Sequence, residues 1–114
     1  MTKDCIFCKI IAGEIPSNIL YHDDEVIAFP DIQPTAPTHL LIVPRRHIPL
    51  LSEMSEAEMP LIGHMTVVAN RLAKDQGIAE NGYRVVINSG EQGGQVVPHL
   101  HMHLLGGRPL KWSH

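Results

Sequence analysis

The chain has 114 residues, 44% hydrophobic and 18% charged, with a net charge of −3 when its eight histidines are neutral. That length suits one domain around a modest core, residues 1–114 as a single unit, and the balance is that of a globular rather than a disordered protein. Basic residues cluster only at Arg45-Arg46-His47, and no aromatics interleave with Lys or Arg, which argues against a nucleic-acid surface.

The opening stretch MTKDCIFCKIIAGE is broken by Asp4, Lys9 and Glu14, unlike a signal peptide, and no later apolar run is long enough to span a bilayer. Two cysteines, Cys5 and Cys8, are too few for a disulfide-stapled secreted scaffold. The expected compartment is therefore the cytoplasm, with no membrane partner. Residues 5–13 predict a short helix stopped by Gly13. Residues 19–23 and 25–30 predict two strands joined by a turn at Asp23-Asp24. Pro34 and Pro37 punctuate the next loop, and residues 39–44 (HLLIVP) read as a strand buried on both faces.

Ser55 and Glu58 have capping-box spacing. Leu61, Met65, Val68 and Leu72 then recur at helical spacing as far as Gly77, with Pro60 expected to delay or bend the helix start. Residues 83–89 predict a strand, 90–95 a Gly-rich loop and 99–105 a last strand. The fold class is therefore α+β: an antiparallel meander sheet with one long helix and a short N-terminal one.

Along that last strand His99, His101 and His103 share one face while Leu100, Met102 and Leu104 share the other. Placing three imidazoles side by side serves stability poorly, because each ring needs a partner. Three readings follow: a surface strand that carries histidines, a His-x-His metal site, or nucleophilic catalysis by a neutral imidazole. Gly90, Gly93 and Gly94, after Asn88, favour a site for a phosphoryl group, since glycines let backbone N–H groups approach an anion. Cys5-x-x-Cys8 is half a zinc site by spacing. The alternatives are two ordinary buried thiols or a redox pair.

The run His99-Leu100-His101-Met102-His103-Leu104-Leu105 resembles the signature of the histidine triad superfamily. CIFCKIIAGEIP, DIQPTAPTHLLIVPRRH, NSGEQGGQ and GGRPLKW extend the likeness over nearly the whole chain, toward the Hint branch of purine nucleoside phosphoramidases. The dinucleotide polyphosphate hydrolase branch lacks the Gly106-Gly107-Arg108 and Trp112 found here. The resemblance implies a hydrolase that cleaves an AMP- or GMP-like conjugate at the α-phosphorus, with His101 as a transiently nucleotidylated nucleophile. It assigns His103 and the loop around Gly94 to the phosphate, and His99 and His39 to holding the His101 ring. Asp31 would accept the ribose hydroxyls, although an aspartate also suits the turn Asp31-Ile32-Gln33-Pro34. Ile6, Phe7, Ile10, Phe29, Ile32 and Leu41 would line the base slot; without the resemblance all six read as core.

Many relatives carry a hydroxyl residue where this chain has Val96, which predicts slower or differently selective turnover. The resemblance further implies that His47 and His99 complete a structural zinc site with Cys5 and Cys8, while the chemistry itself needs no cofactor. It implies a homodimer in which Trp112 helps shape substrate selection. Two rival functions stay open: a metal-dependent hydrolase using the histidine row as ligands, and a nucleotide-binding scaffold with little turnover.

Overall fold

From His39 to Pro44 every residue of strand β3 (Thr38–Pro44) is buried, as an uninterrupted apolar run requires when both faces of a sheet are covered. The computed structural model describes residues 4–111. Strand β3 pairs antiparallel with β2 (Val26–Pro30) on one side and β5 (Met102–Gly106) on the other. Strands β1 (Tyr21–His22) and β4 (Tyr83–Val86) form the edges, giving the order β1-β2-β3-β5-β4. The first three strands run as a meander. Helix α2 (Met59–Asp75) then crosses one face, β4 enters at the far edge, and β5 returns between β4 and β3.

Alternation along the strands sorts their side chains into two layers. Val26, Ala28, Leu40, Ile42, Met102 and Leu104 pack under α2 in the main core. Ile27, Phe29, Leu41 and Val43 face the other way, against Cys5 and against Phe7 of helix α1 (Ile6–Ile11). The histidines lie in this second, thinner layer.

Helix α2 starts as its residues dictate. The Glu58 carboxylate accepts from the Ser55 N–H at 2.8 Å and from its hydroxyl at 3.3 Å. One 3-10 turn, Glu56–Glu58, leads into the helix. Pro60 falls within the first α-helical turn, where its missing N–H costs nothing, so it sets the start at Met59.

Three strands are shorter than their patterns predict. The first keeps only Tyr21–His22, β4 ends at Val86, and β5 begins at Met102 rather than at residue 99. The last boundary has a clear cause: the His99 N–H turns to the Val97 carbonyl (2.8 Å) and the Leu100 N–H to the Ile48 carbonyl (2.6 Å). Those bonds take the lead-in out of the ladder while leaving Leu100 in the main core. Among the described residues no helix is long and apolar enough to cross a membrane.

Candidate active site

The register sets His39 opposite Leu105 and Leu41 opposite His103. His39 and His103 are thus diagonal neighbours on one face, with Nε2 of the first 2.9 Å from Nδ1 of the second. Their proton positions follow from the partners. His39 Nδ1 accepts from the Thr35 N–H at 3.1 Å. The proton of a neutral His39 therefore sits on Nε2 and is donated to His103 Nδ1, so a neutral His103 carries its proton on Nε2. Burial lowers the His39 pKa, more than the nearby Asp31 raises it.

His101 is oriented differently. Its Nδ1 donates to the backbone carbonyl of His99 at 2.7 Å, which makes Nε2 the lone-pair nitrogen of the neutral ring. Burial pulls the His101 pKa down, outweighing the His99 carbonyl and the Asp31 charge, which raise it. A neutral, singly oriented imidazole lining a cleft has the lone pair that nucleophilic chemistry at neutral pH requires.

The cleft holds about 430 Å³. Ile6, Phe7, Ile10, Phe29, Ile32, Leu41, Asp31, Gly94, Val96, His39, His101 and His103 all line it. Phe7, Phe29 and Leu41 are core and wall at once, whereas Ile32 is 88% exposed and Val96 90%, both at the rim. Asp31 likewise does two things. Its Oδ1 accepts from the Gln33 N–H at 2.8 Å, fixing the turn, and its Oδ2 lies 3.4 Å from His39 Nε2 beside the cleft.

Two expected residues, Asn88 and His99, stand away from the cleft. Asn88 does not line the cleft; its side-chain amide donates to the Gly93 carbonyl at 2.7 Å and braces the loop. Trp112 lies outside the described residues. The His99 ring does not hold the His101 ring and does not face the cleft, because it is fully buried against the two cysteines; its carbonyl does the holding instead. His39, expected beside His101, reaches His103. Reading the sequence also missed Gln95. That side chain accepts from the Gly90 N–H and donates to the Pro49 and Val97 carbonyls, tying the loop shut behind Gly94, whose φ is +88°. Its place inside the GGQ run was the available signal.

Behind the cleft, Cys5, Cys8, His47 and His99 bring one donor atom each within 4.8 Å of all the others. Cys5 Sγ lies 3.3 Å and Cys8 Sγ 3.6 Å from His99 Nδ1; Cys8 Sγ is 3.4 Å and His99 Nδ1 3.1 Å from His47 Nδ1. Donors around one tetrahedral zinc, with bonds of roughly 2.0–2.3 Å, stand about 3.3–3.8 Å apart, close to these spacings. His99 Nε2 donates to the Pro44 carbonyl at 2.8 Å, so its Nδ1 lone pair is turned into the cluster. Burial, and then Cys5, push the Cys8 thiol up to about 11. Four converging donors with those two thiols fit a divalent cation and suit a zinc ion best.

The three histidines of the row therefore do not converge on one ion: His99 faces the thiols, and His101 and His103 face the cleft. A second grouping, Asp31, His39 and His103, has its two imidazoles already hydrogen-bonded to each other.

Comparison with known proteins places the chain in a family. A family model described as HIT domain matches residues 12–110. The chain is 53% identical to the purine nucleoside phosphoramidase of Escherichia coli K12 over 110 residues, 96% of this chain and 92% of that one. A HIT family hydrolase from Legionella pneumophila has the same fold, with a TM-score of 0.93 and 45% identity over 96% of this chain and 97% of that chain. A zinc-bound histidine triad family protein from Mycobacterium smegmatis gives a TM-score of 0.82 at 27% identity, covering 95% of this chain and 78% of that one. The chain belongs to the histidine triad (HIT) domain family and is a hydrolase of that family.

Proposed function

We propose that this chain hydrolyses nucleoside 5′-phosphoramidates, or related nucleotidyl conjugates of adenylyl type, at the α-phosphorus through a covalent bond to His101. The observation that carries the reading is the 2.7 Å hydrogen bond from His101 Nδ1 to the His99 carbonyl, which leaves Nε2 as the attacking lone pair. Nε2 bonds to phosphorus, and the leaving amine departs with the P–N pair and picks up one proton from solvent. Water then attacks phosphorus, the P–Nε2 pair returns to the imidazole, and the proton released by water replaces the one given up. The free nucleoside monophosphate leaves. Splitting one displacement into two suits imidazole, which is both a good nucleophile and a good leaving group.

The other groups follow from their positions. Phe7, Phe29 and Ile32 sandwich an apolar purine, and Asp31 Oδ2 accepts from the ribose hydroxyls. The Nε2–H of His103 holds a phosphate oxygen, strengthening as charge builds there, and Gly94 lines the cleft beside it while the N–H groups of Gly93, Gly94 and Gln95 close the loop on its own carbonyls. The 53% identity with an enzyme named purine nucleoside phosphoramidase supports a purine conjugate as substrate. In this reading residues 1–114 act as one cytoplasmic domain. The chemistry needs no cofactor; a zinc ion held by Cys5, Cys8, His47 and His99 is structural. Two copies pair through sheet edges such as β4, because a domain this small leaves them open.

Mass spectrometry of protein quenched during turnover of an adenosine phosphoramidate tests the reading. An adenylyl adduct on His101 is the expected result. Turnover with no adduct, or an unaltered rate in His101→Asn, overturns it.

A further inference from the structure

We infer that His99 is a positioning residue that couples cation occupancy of the Cys5–Cys8–His47–His99 cluster to the orientation of the nucleophile His101. The part of this inference that concerns nucleotide affinity rests on the proposed function; the part that concerns the ring does not.

His99 is held at every polar atom. Its Nδ1 faces Cys5, Cys8 and His47 at 3.3, 3.6 and 3.1 Å. Its Nε2 is bonded to the Pro44 carbonyl, its N–H to the Val97 carbonyl, and its own carbonyl accepts from His101 Nδ1. The ring has no solvent exposure. A shift of that ring must drag the main chain that carries the carbonyl, and the carbonyl sets which His101 nitrogen holds the lone pair.

A second path runs through α1. This helix has six residues, too few to persist by itself. Cys5 caps it, accepting from the Cys8 N–H at 3.4 Å, so the two thiols that face His99 also frame the helix. Phe7 stands edge-on to both rings, with centroids 5.8 Å from His99 and 5.1 Å from His101, and lines the cleft together with Ile6 and Ile10. A cation would hold the four donors by coordination, whereas without one the cluster is joined only by thiol–imidazole hydrogen bonds, which are weak because S–H is a poor donor. Removing the cation therefore lets Cys5 and Cys8 separate from His99. That motion loosens one wall of the slot and the support of the nucleophile together. The core under α2 shares no residue with the cluster and survives it.

Zinc-loaded parent, chelator-stripped parent and Cys8→Ser are compared by NMR with labelled histidine, and by calorimetric titration with AMP. The loaded parent is expected to show a slowly exchanging Nδ1–H at His101, assigned against His101→Asn. In the stripped parent and in Cys8→Ser that proton exchanges about tenfold faster or more, and AMP binds about tenfold more weakly, as loss of an outer-shell partner does. Amide signals of α2 and β3 stay in place. Zinc restores the stripped parent but not Cys8→Ser. Equal Nδ1–H exchange in loaded and stripped protein overturns the coupling; so does a parent that binds no zinc, or one that unfolds as a whole on stripping. A parent that loses the Nδ1–H signal on stripping but never binds AMP supports the coupling and counts against the nucleotide reading instead.

Discussion

His39 Nε2 donates to His103 Nδ1 across 2.9 Å, and this bond decides which nitrogen of His103 presents a proton to the cleft. The donor is itself fixed, since Thr35 N–H occupies the other His39 nitrogen. His39→Leu keeps the apolar bulk but removes the donor to His103 Nδ1. One lost hydrogen bond of this kind costs about 1–2 kcal/mol of transition-state stabilisation, roughly a tenfold drop in kcat/KM. Steady-state kinetics on an adenosine phosphoramidate should show the loss mainly in kcat, with AMP affinity changing little. A rise in KM with kcat unchanged would place His39 in ground-state binding instead.

For His101 the expected effect is far larger. His101→Asn retains a polar side chain but removes the ring proposed to bond to phosphorus. Losing a covalent nucleophile should lower kcat by at least about a thousandfold. The melting temperature serves as the control, because the rest of the cleft wall is unaltered. A well-folded variant with more than a tenth of the parental turnover would exclude covalent catalysis at this residue.

Legibility in the sequence was uneven for a physical reason. The run 39–44 announces a strand covered on both sides, and alternation over 99–105 separates Leu100, Met102 and Leu104 from the histidines even where no ladder exists. The three imidazoles, however, are equivalent in any pattern of i, i+2, i+4. What tells them apart is where the chain leaves the sheet: the Val97 and Ile48 carbonyls take the N–H groups of His99 and Leu100, which turns the first ring toward the thiols. Such long-range partners leave no trace in local spacing. Asn88 shows the same limit, since a polar residue beside a Gly-rich loop can contact a ligand or brace the loop, and here it braces.

Val96 offers a gain-of-function test. It lines the cleft beside Gly94 yet is 90% exposed, so replacing it perturbs little packing. Val96→Ser introduces a hydroxyl that, in the proposed reaction, can donate to the phosphate or leaving group. We expect turnover on amidate substrates to rise about threefold to tenfold, the worth of one added hydrogen bond, with stability within about 0.5 kcal/mol of the parent. Unchanged kinetics across several amine leaving groups would remove Val96 from the account of selectivity.

The last prediction concerns acid stability, and it turns on Asp23. Its Oδ1 accepts from the N–H groups of Glu25 and Val26, both at 2.8 Å; its Oδ2 accepts from the Tyr21 hydroxyl at 2.7 Å and lies 2.6 Å from His64 Nε2 on α2. Burial by itself would raise the Asp23 pKa, but these partners outweigh it and hold the carboxyl well below the usual carboxylate range. A depressed folded-state pKa means that the folded form binds its proton less readily than the unfolded chain does. The contribution is therefore complete above the unfolded value of about 3.9 and fades as pH falls through the folded one. Asp23→Asn should destabilise the protein at pH 7 by about 1–2 kcal/mol, since it weakens several charge-assisted bonds at the joint between the β1–β2 turn and α2. Urea unfolding at pH 7, 5 and 3 should show a constant gap between parent and variant at the first two values and a smaller one at the third. A gap that widens on acidification would mean that the carboxylate is not the anchor of that joint.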